Sequence, residues 1–242
     1  MPRSLTGPKY QRTKGAVKLH LLLDHQGQLP SFVIVTEGRV HENRIARGLR
    51  FEPGTIVVFD PGYNDYAWFD GLDQDGVFFV TRMKDNTDYG VLERRPIPER
   101  GPVQRDEIIF LYKLARTGQR NLFLRRIEVW DQQRQRTLVF LTNHRDFAAS
   151  TIARIYKGRW QIELFFKALK HNLHIKTFVG TTPKALQIQI WTALIAFLLL
   201  KYLKLRSSFG WSLSNLAALL RISWESINKR NHKLVSNGGL SF

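Results

Sequence analysis

Cysteine is absent from all 242 residues, so no disulfide braces the fold and no thiolate serves as nucleophile or metal ligand. The histidines do not fall into the paired spacing of a zinc site, and no glycine-rich phosphate loop occurs. Internal repeats and low-complexity stretches are missing as well. Long hydrophobic runs are lacking: the longest, 190–200, is interrupted by Thr192 and closed by Lys201 and Lys204. That is about half of what a bilayer span requires. Met1-Pro2-Arg3-Ser4 offers no apolar stretch that could act as a signal peptide. These absences point to a cytoplasmic chain with no membrane partner.

Acid is also scarce. Twenty Asp and Glu face 37 Lys and Arg, for a formal net charge of +17, and the natural partner of such a chain is a polyanion. Hydrophobic residues make up 43% and aromatics 12%, enough for a substantial core. The expected fold is α/β, as one domain carrying an insertion.

Alternating apolar patterns predict strands at 16–23 and 31–36, joined by the turn Asp24-His25-Gln26-Gly27. The continuously apolar segment 55–59 reads as a strand buried on both faces, ending at Asp60-Pro61-Gly62. A helix over 63–72 and a strand over 77–81 complete a βαβ unit. The Arg-rich stretch 84–137, broken by Pro96, Pro98, Gly101, Pro102 and Gly118, reads as an inserted antiparallel subdomain. A strand at 138–142 comes next, then helical patterns over 148–171 and 183–206, and a last short helix and polar tail over 207–242.

Asp60 sits where α/β sheets place functional groups, at the carboxyl end of a strand, and a carboxylate there can reach a hydrated metal ion. The same Asp-Pro-Gly is also ordinary turn chemistry. The segment 151–206 holds ten Lys or Arg and one acid, Glu163. On a continuous helix Tyr156, Arg159, Glu163, Lys167 and Lys170 fall within an arc of roughly 80°. Such a stripe is either a solvated face with surface ion pairs or a metal-binding carboxylate flanked by phosphate-gripping cations, with Tyr156 adding a hydroxyl or stacking contact. His171 and His174, without a partner cluster, read as polar or phosphate-contacting residues. Trp68, Trp160, Trp191 and Trp211 lie among apolar neighbours and read as core; Trp130, in the Arg-rich stretch, is the candidate for base stacking.

The spacing of Tyr156, Arg159, Glu163 and Lys170 resembles the Y-R-E-K signature of bacterial insertion-sequence transposases of the DDE type. Further words resemble the branch called insertion-sequence family four: Arg12-Thr13-Lys14-Gly15-Ala16-Val17-Lys18, Val58-Phe59-Asp60-Pro61-Gly62-Tyr63, Phe79-Val80-Thr81-Arg82 and Gly158-Arg159-Trp160-Gln161-Ile162-Glu163. The resemblance implies an RNase H-like core at 1–83 and 138–206, a β-rich insertion at 84–137 and a helical C-terminus. It implies Asp60 and Glu163 as catalytic metal ligands for two Mg²⁺ or Mn²⁺ ions, roughly 4 Å apart. Arg159, Lys167 and Lys170 would bind DNA with Tyr156. The expected partner is double-stranded DNA, transposon ends and target, met by a homodimer in a synaptic complex. In this family a first Asp lies upstream of the Arg-Thr-Lys-Gly-Ala stretch, and no acid stands among residues 1–11 here. Asp24, in the hairpin turn, is no substitute. The resulting expectation is an amino-terminally truncated transposase, defective alone. A non-catalytic DNA-binding remnant and a nuclease that cuts but never joins strands are the competing readings.

Overall fold

The computed structural model describes residues 17–24, 29–37, 40–112, 122–172 and 182–207, with a few positions between 210 and 219. At 17–18, 37, 168–172 and 183 the backbone alone is described. These residues divide into two compact units, the first ending at Glu163 and the second beginning at Leu164.

In the first unit, β1 (Val17–Leu23) and β2 (Pro30–Glu37) form a two-stranded sheet. The Asp24 N–H donates to Leu29 O at 2.9 Å across the mouth of the expected turn, whose tip, 25–28, lies outside the described residues. After the short α1 (Glu42–Ala46), a six-stranded sheet runs in the order β3 (Ile56–Val58), β4 (Phe78–Arg82), β8 (Arg136–Thr142), β7 (Phe123–Asp131), β6 (Val103–Leu111), β5 (Tyr89–Arg94). The β3–β4 pair is parallel, joined through α2 (Tyr66–Gln74) as the βαβ pattern requires; every other pair is antiparallel.

Alternation along the strands builds two cores, because successive side chains point to opposite sheet faces. Phe79 and Leu141 look to one side, joining Phe59, Phe69 and Trp68 of the α2 layer, with Phe69 stacked on Phe79 at 4.4 Å between ring centroids. Val80 and Phe140 look to the other, joining Ile127, Ile152 and Tyr156 beneath α3 (Ala149–Gly158). Fully burying one such large side chain stabilises by roughly 1.5–3 kcal/mol. The α/β class expected from the sequence is therefore observed, with helices on both faces of the sheet.

The Arg-rich stretch forms antiparallel strands. Its strands β5 to β7 extend the same sheet that carries β3 and β4. Its charges are partly internal. Arg125 donates to both carboxylate oxygens of Asp106 at 2.8 and 2.6 Å, with the two side chains 3% and 6% exposed. Arg126 pairs with Glu107 at 2.8 Å and with Glu128. Arg125 also donates to the carbonyls of Arg145 and Phe147, at 3.0 and 2.5 Å, and so ties the turn before α3 to the sheet.

That turn is further fixed by His144, which stacks on Phe147 at 3.8 Å and on Phe78 at 4.3 Å. Its Nδ1 accepts from the Asp146 and Phe147 N–H groups, an arrangement that needs the neutral ring. Burial, chiefly, with Arg125 adding, holds the imidazole below its ordinary pKa against an opposing effect of Asp146.

Two expectations change. The helix expected over 148–171 is two, α3 and α4 (Trp160–Asn172), interrupted at Arg159. There the Arg159 N–H bonds to Tyr156 O and the Ile162 N–H to Arg159 O, spacings of three residues that tighten the chain after Gly158. Trp68 is core as expected, but Trp160 and Trp191 are 48% and 44% exposed. Trp160 opens α4 with Arg134 lying over its ring at 5.7 Å. Trp211 lies outside the described residues.

Asp106→Ala should cost about 3–5 kcal/mol in urea unfolding, because it strands a buried guanidinium. The pair Asp106→Leu with Arg125→Met should cost less than that single change. For His144 the folded pKa is depressed, so its stabilisation is complete above about 6.5 and is lost as pH falls toward the lower folded value, the unfolded chain protonating first. Urea midpoints from pH 7.5 to 5.5 should fall more steeply for the wild type than for His144→Phe, which keeps the ring packing.

Candidate active site

Asp60 comes two residues after the last residue of β3, and its backbone is extended (φ −72°, ψ 149°) as it caps the 3-10 turn Pro61–Tyr63. Its two carboxylate oxygens do different things. Oδ1 accepts the Gly62 N–H at 3.1 Å, which is the turn chemistry. Oδ2 points to Arg159, 3.8 Å from Nη1. The neighbouring threonine and asparagine hold the strand end in place: Thr81 Oγ1 donates to Phe59 O at 3.0 Å and lies 3.0 Å from Asn64 Oδ1, while Asn64 Nδ2 donates to Arg82 O at 2.9 Å.

Arg159 comes from the break between α3 and α4, and Glu163 stands one turn into α4. The Arg159 Nη2 lies 2.9 Å from Glu163 Oε1. A single guanidinium thus spans Asp60 and Glu163, two acids far apart in sequence. All three side chains are sheltered: Arg159 is 10% exposed, Glu163 18% and Asp60 27%.

Tyr156 is buried beneath this group, its ring 5.1 Å from Phe140 and 5.6 Å from the Arg159 guanidinium. Burial first, then Asp60, pushes its phenol above the ordinary range, while Arg159 and Arg82 oppose. Burial likewise raises the Tyr63 phenol, with Glu42 and Asp60 adding. Both hydroxyls stay protonated at neutral pH.

Among the sequence-nominated residues, Asp60, Tyr156, Arg159 and Glu163 come together in the first unit. Tyr156 and Arg159 face inward, toward the core and the carboxylates, rather than out over a groove. Lys167 is exposed on α4 within the second unit, and the side chains of Lys170 and His171 and all of His174 lie outside the described residues. Thr81, Asn64 and Arg82 were not assigned roles from the sequence; Thr81 and Arg82 stood in a quoted family word, but no local pattern ties a strand hydroxyl to the preceding strand's last carbonyl.

The donor set is two hard oxygen ligands around a cation. Magnesium is commonly bound by one or two carboxylates, with waters and substrate phosphates completing the shell, so Asp60 and Glu163 fit one such ion. Among the described residues no group of three or more His, Cys, Asp or Glu is placed to hold a metal.

Comparison with known proteins gives a consistent result. A family model described as "Transposase DDE domain" matches residues 2–199. A protein of Sinorhizobium fredii named as a transposase is 35% identical over 191 residues, 76% of this chain and 52% of that protein. One of Geobacillus stearothermophilus, named as a transposase for an insertion sequence element, is 30% identical over 196 residues, 80% of this chain and 51% of that one. A third, from Synechocystis, is 46% identical over 59 residues, 24% of this chain and 18% of the relative. The chain spans about half the length of the first two.

Thr81→Val should remove about 1–3 kcal/mol of stability by stranding the Phe59 carbonyl and an Asn64 partner. Hydrogen exchange at the Gly62 amide should quicken both in that variant and in Asp60→Ala.

Proposed function

The chain belongs to the DDE transposase family, and we propose that it supplies two acids of a metal-dependent centre that cleaves and joins DNA during movement of an insertion sequence. The observation that carries this reading is the convergence of Asp60 and Glu163 on one guanidinium. Two anions drawn to one sheltered position form a cation site, and Arg159 serves as its counter-charge.

Mg²⁺ or Mn²⁺ is the proposed cofactor; bound, it supplies activation of an attacking hydroxyl and stabilisation of the leaving oxygen. Asp60 and Glu163 would hold it. The Gly62 N–H fixes the Asp60 carboxylate so that Oδ2 faces the site. Arg159 would contact a phosphate flanking the scissile bond, with Lys167 and Lys170 gripping the backbone of the DNA. Tyr156 would steady Arg159 from below, and Trp130, 37% exposed on β7, is a candidate stacking surface. A two-ion site needs a further donor beyond the two carboxylates, in keeping with the first acid that the family resemblance puts upstream of residue 12.

The substrate is double-stranded DNA, element ends and target, and the action belongs to the bacterial cytoplasm at the nucleoid. Two chains in a synaptic complex would bring two ends together. The second reading, a chain that binds DNA without completing transposition, would be favoured by binding that falls steeply with salt yet is indifferent to Mg²⁺.

Titration with Mn²⁺, read calorimetrically, should give binding that weakens at least tenfold in Asp60→Ala and in Glu163→Ala. DNA binding should fall steeply with salt, and nicking of supercoiled plasmid should be weak. Mn²⁺ binding indifferent to both substitutions would sink the metal site. Robust nicking that vanishes in both variants would instead establish a centre complete within the chain. Joined product from a supplied 3′-hydroxyl end separates a transposase from a nuclease.

A further inference from the structure

The β7–β8 hairpin outruns the strands beside it. β4 pairs with β8 over 140–142 and β6 with β7 no further than Val129, while β7 and β8 stay paired as far as Asp131 and Arg136. Residues 131–136 therefore leave the sheet as a narrow two-stranded ribbon, and 132–136 are exposed throughout. A tight turn is ordinarily made from glycine, proline, asparagine, aspartate or serine; this one places Gln132, Gln133, Arg134 and Gln135 after Asp131. Gln135 even takes a left-handed φ of 50°, a conformation that favours glycine. Turn chemistry alone does not select these side chains.

The tip is nevertheless held in one shape. Asp131 Oδ1 accepts the Gln133 and Arg134 N–H groups at 3.1 and 3.3 Å, and Gln135 Nε2 donates to Gln132 O at 2.7 Å. Arg134 folds back, 3.8 Å from the Asp131 carboxylate, and lays its guanidinium over the Trp160 ring. Trp160 follows Arg159 in the chain, so this contact pins the ribbon beside the candidate site. Asp131, Arg134 and Gln135 thus shape the tip, which carries Gln132, Gln133 and Arg136 into solvent.

We propose that this tip reads base sequence in the major groove of double-stranded DNA beside the candidate site, with Gln132, Gln133 and Arg136 making the base contacts. A two-stranded ribbon fits that groove, where a glutamine amide pairs with adenine N6 and N7 and an arginine with guanine O6 and N7. The long-range pull of a polyanion acts on charge, so uncharged amides on a projecting tip suit base edges rather than phosphates. The assignment deepens the function proposed above, resting on it for the DNA partner and not for the metal.

The full chain, incubated without metal with a library of randomised DNA duplexes and the bound fraction sequenced, should enrich a site rich in adenine and guanine at neighbouring positions. Gln132→Ala with Gln133→Ala should lower that preference by about tenfold. The salt dependence of binding to a non-preferred duplex should stay as in the wild type, because no charge is removed; this also shows that the variant is folded. Gln133→Glu should move the preference at its position from adenine to cytosine, whose N4 amino group donates to a carboxylate. Binding with no sequence preference, or a preference that survives the double substitution, would overturn the proposal and leave the tip with backbone contacts alone. Asp60→Ala should keep the full preference while losing Mn²⁺, so Mn²⁺ binding that is indifferent to Asp60→Ala counts against the metal site and not against the hairpin. A chain that binds no duplex at all would overturn both readings.

Discussion

The Arg159 guanidinium, set between the carboxylates of Asp60 and Glu163, is the contact on which the candidate site depends. Two sheltered anions repel each other and lose hydration; a cation between them offsets both costs. The backbone serves this geometry. Asp60 is carried by the end of β3, and Arg159 sits at the break between α3 and α4, where the chain changes course before Glu163. Tyr156 closes the group from the core side.

Such a contact is only as well placed as its supports. On one side Thr81 and Asn64 bind the end of β3 to β4. On the other, Arg125 grips the carbonyls of Arg145 and Phe147 while Asp106 neutralises it, so that α3 leaves the sheet from a fixed point. Asn143 links the end of β8 to the start of β4 and to Asp73 at the end of α2. The Arg-rich strands therefore contribute to the site although they lie on the far side of the sheet order. Their buried arginines are matched to acids, Arg125 to Asp106 and Arg126 to Glu107 and Glu128.

Much of this was legible before any coordinates. Strand alternation and the continuous apolar run before Asp60 located the βαβ unit, and the helical pattern from Pro183 to about Arg206 located α5, the helix Pro183–Arg206. The spacing of Tyr156, Arg159, Glu163 and Lys170 marked the family, and the scarcity of acid after residue 150 singled out Glu163. The two readings of Asp60 turn out to be compatible, since one carboxylate oxygen shapes the turn and the other faces the arginine. The helix read as continuous over 148–171 is interrupted at Arg159 by a tightened turn, and Tyr156, Arg159 and Glu163 still come together across it. Apolar neighbours in sequence gave Trp160 and Trp191 to the core, but such a neighbourhood does not say which helix face finds a partner, and both are exposed.

By itself, the amino-acid sequence determined the periodicities that make the strands and helices, the surplus of positive charge, and the residue types available for metal and phosphate chemistry. These are local properties, set by backbone sterics, side-chain alternation and composition. Only the tertiary structure decided that the Arg-rich strands extend the same sheet, that Arg159 turns inward, that Tyr156 is buried, and which side chains of α5 are buried and which exposed. Each of those depends on contacts between segments distant in the chain, and such contacts are chosen by the competition of whole surfaces for burial and for opposite charge, which no window of sequence contains.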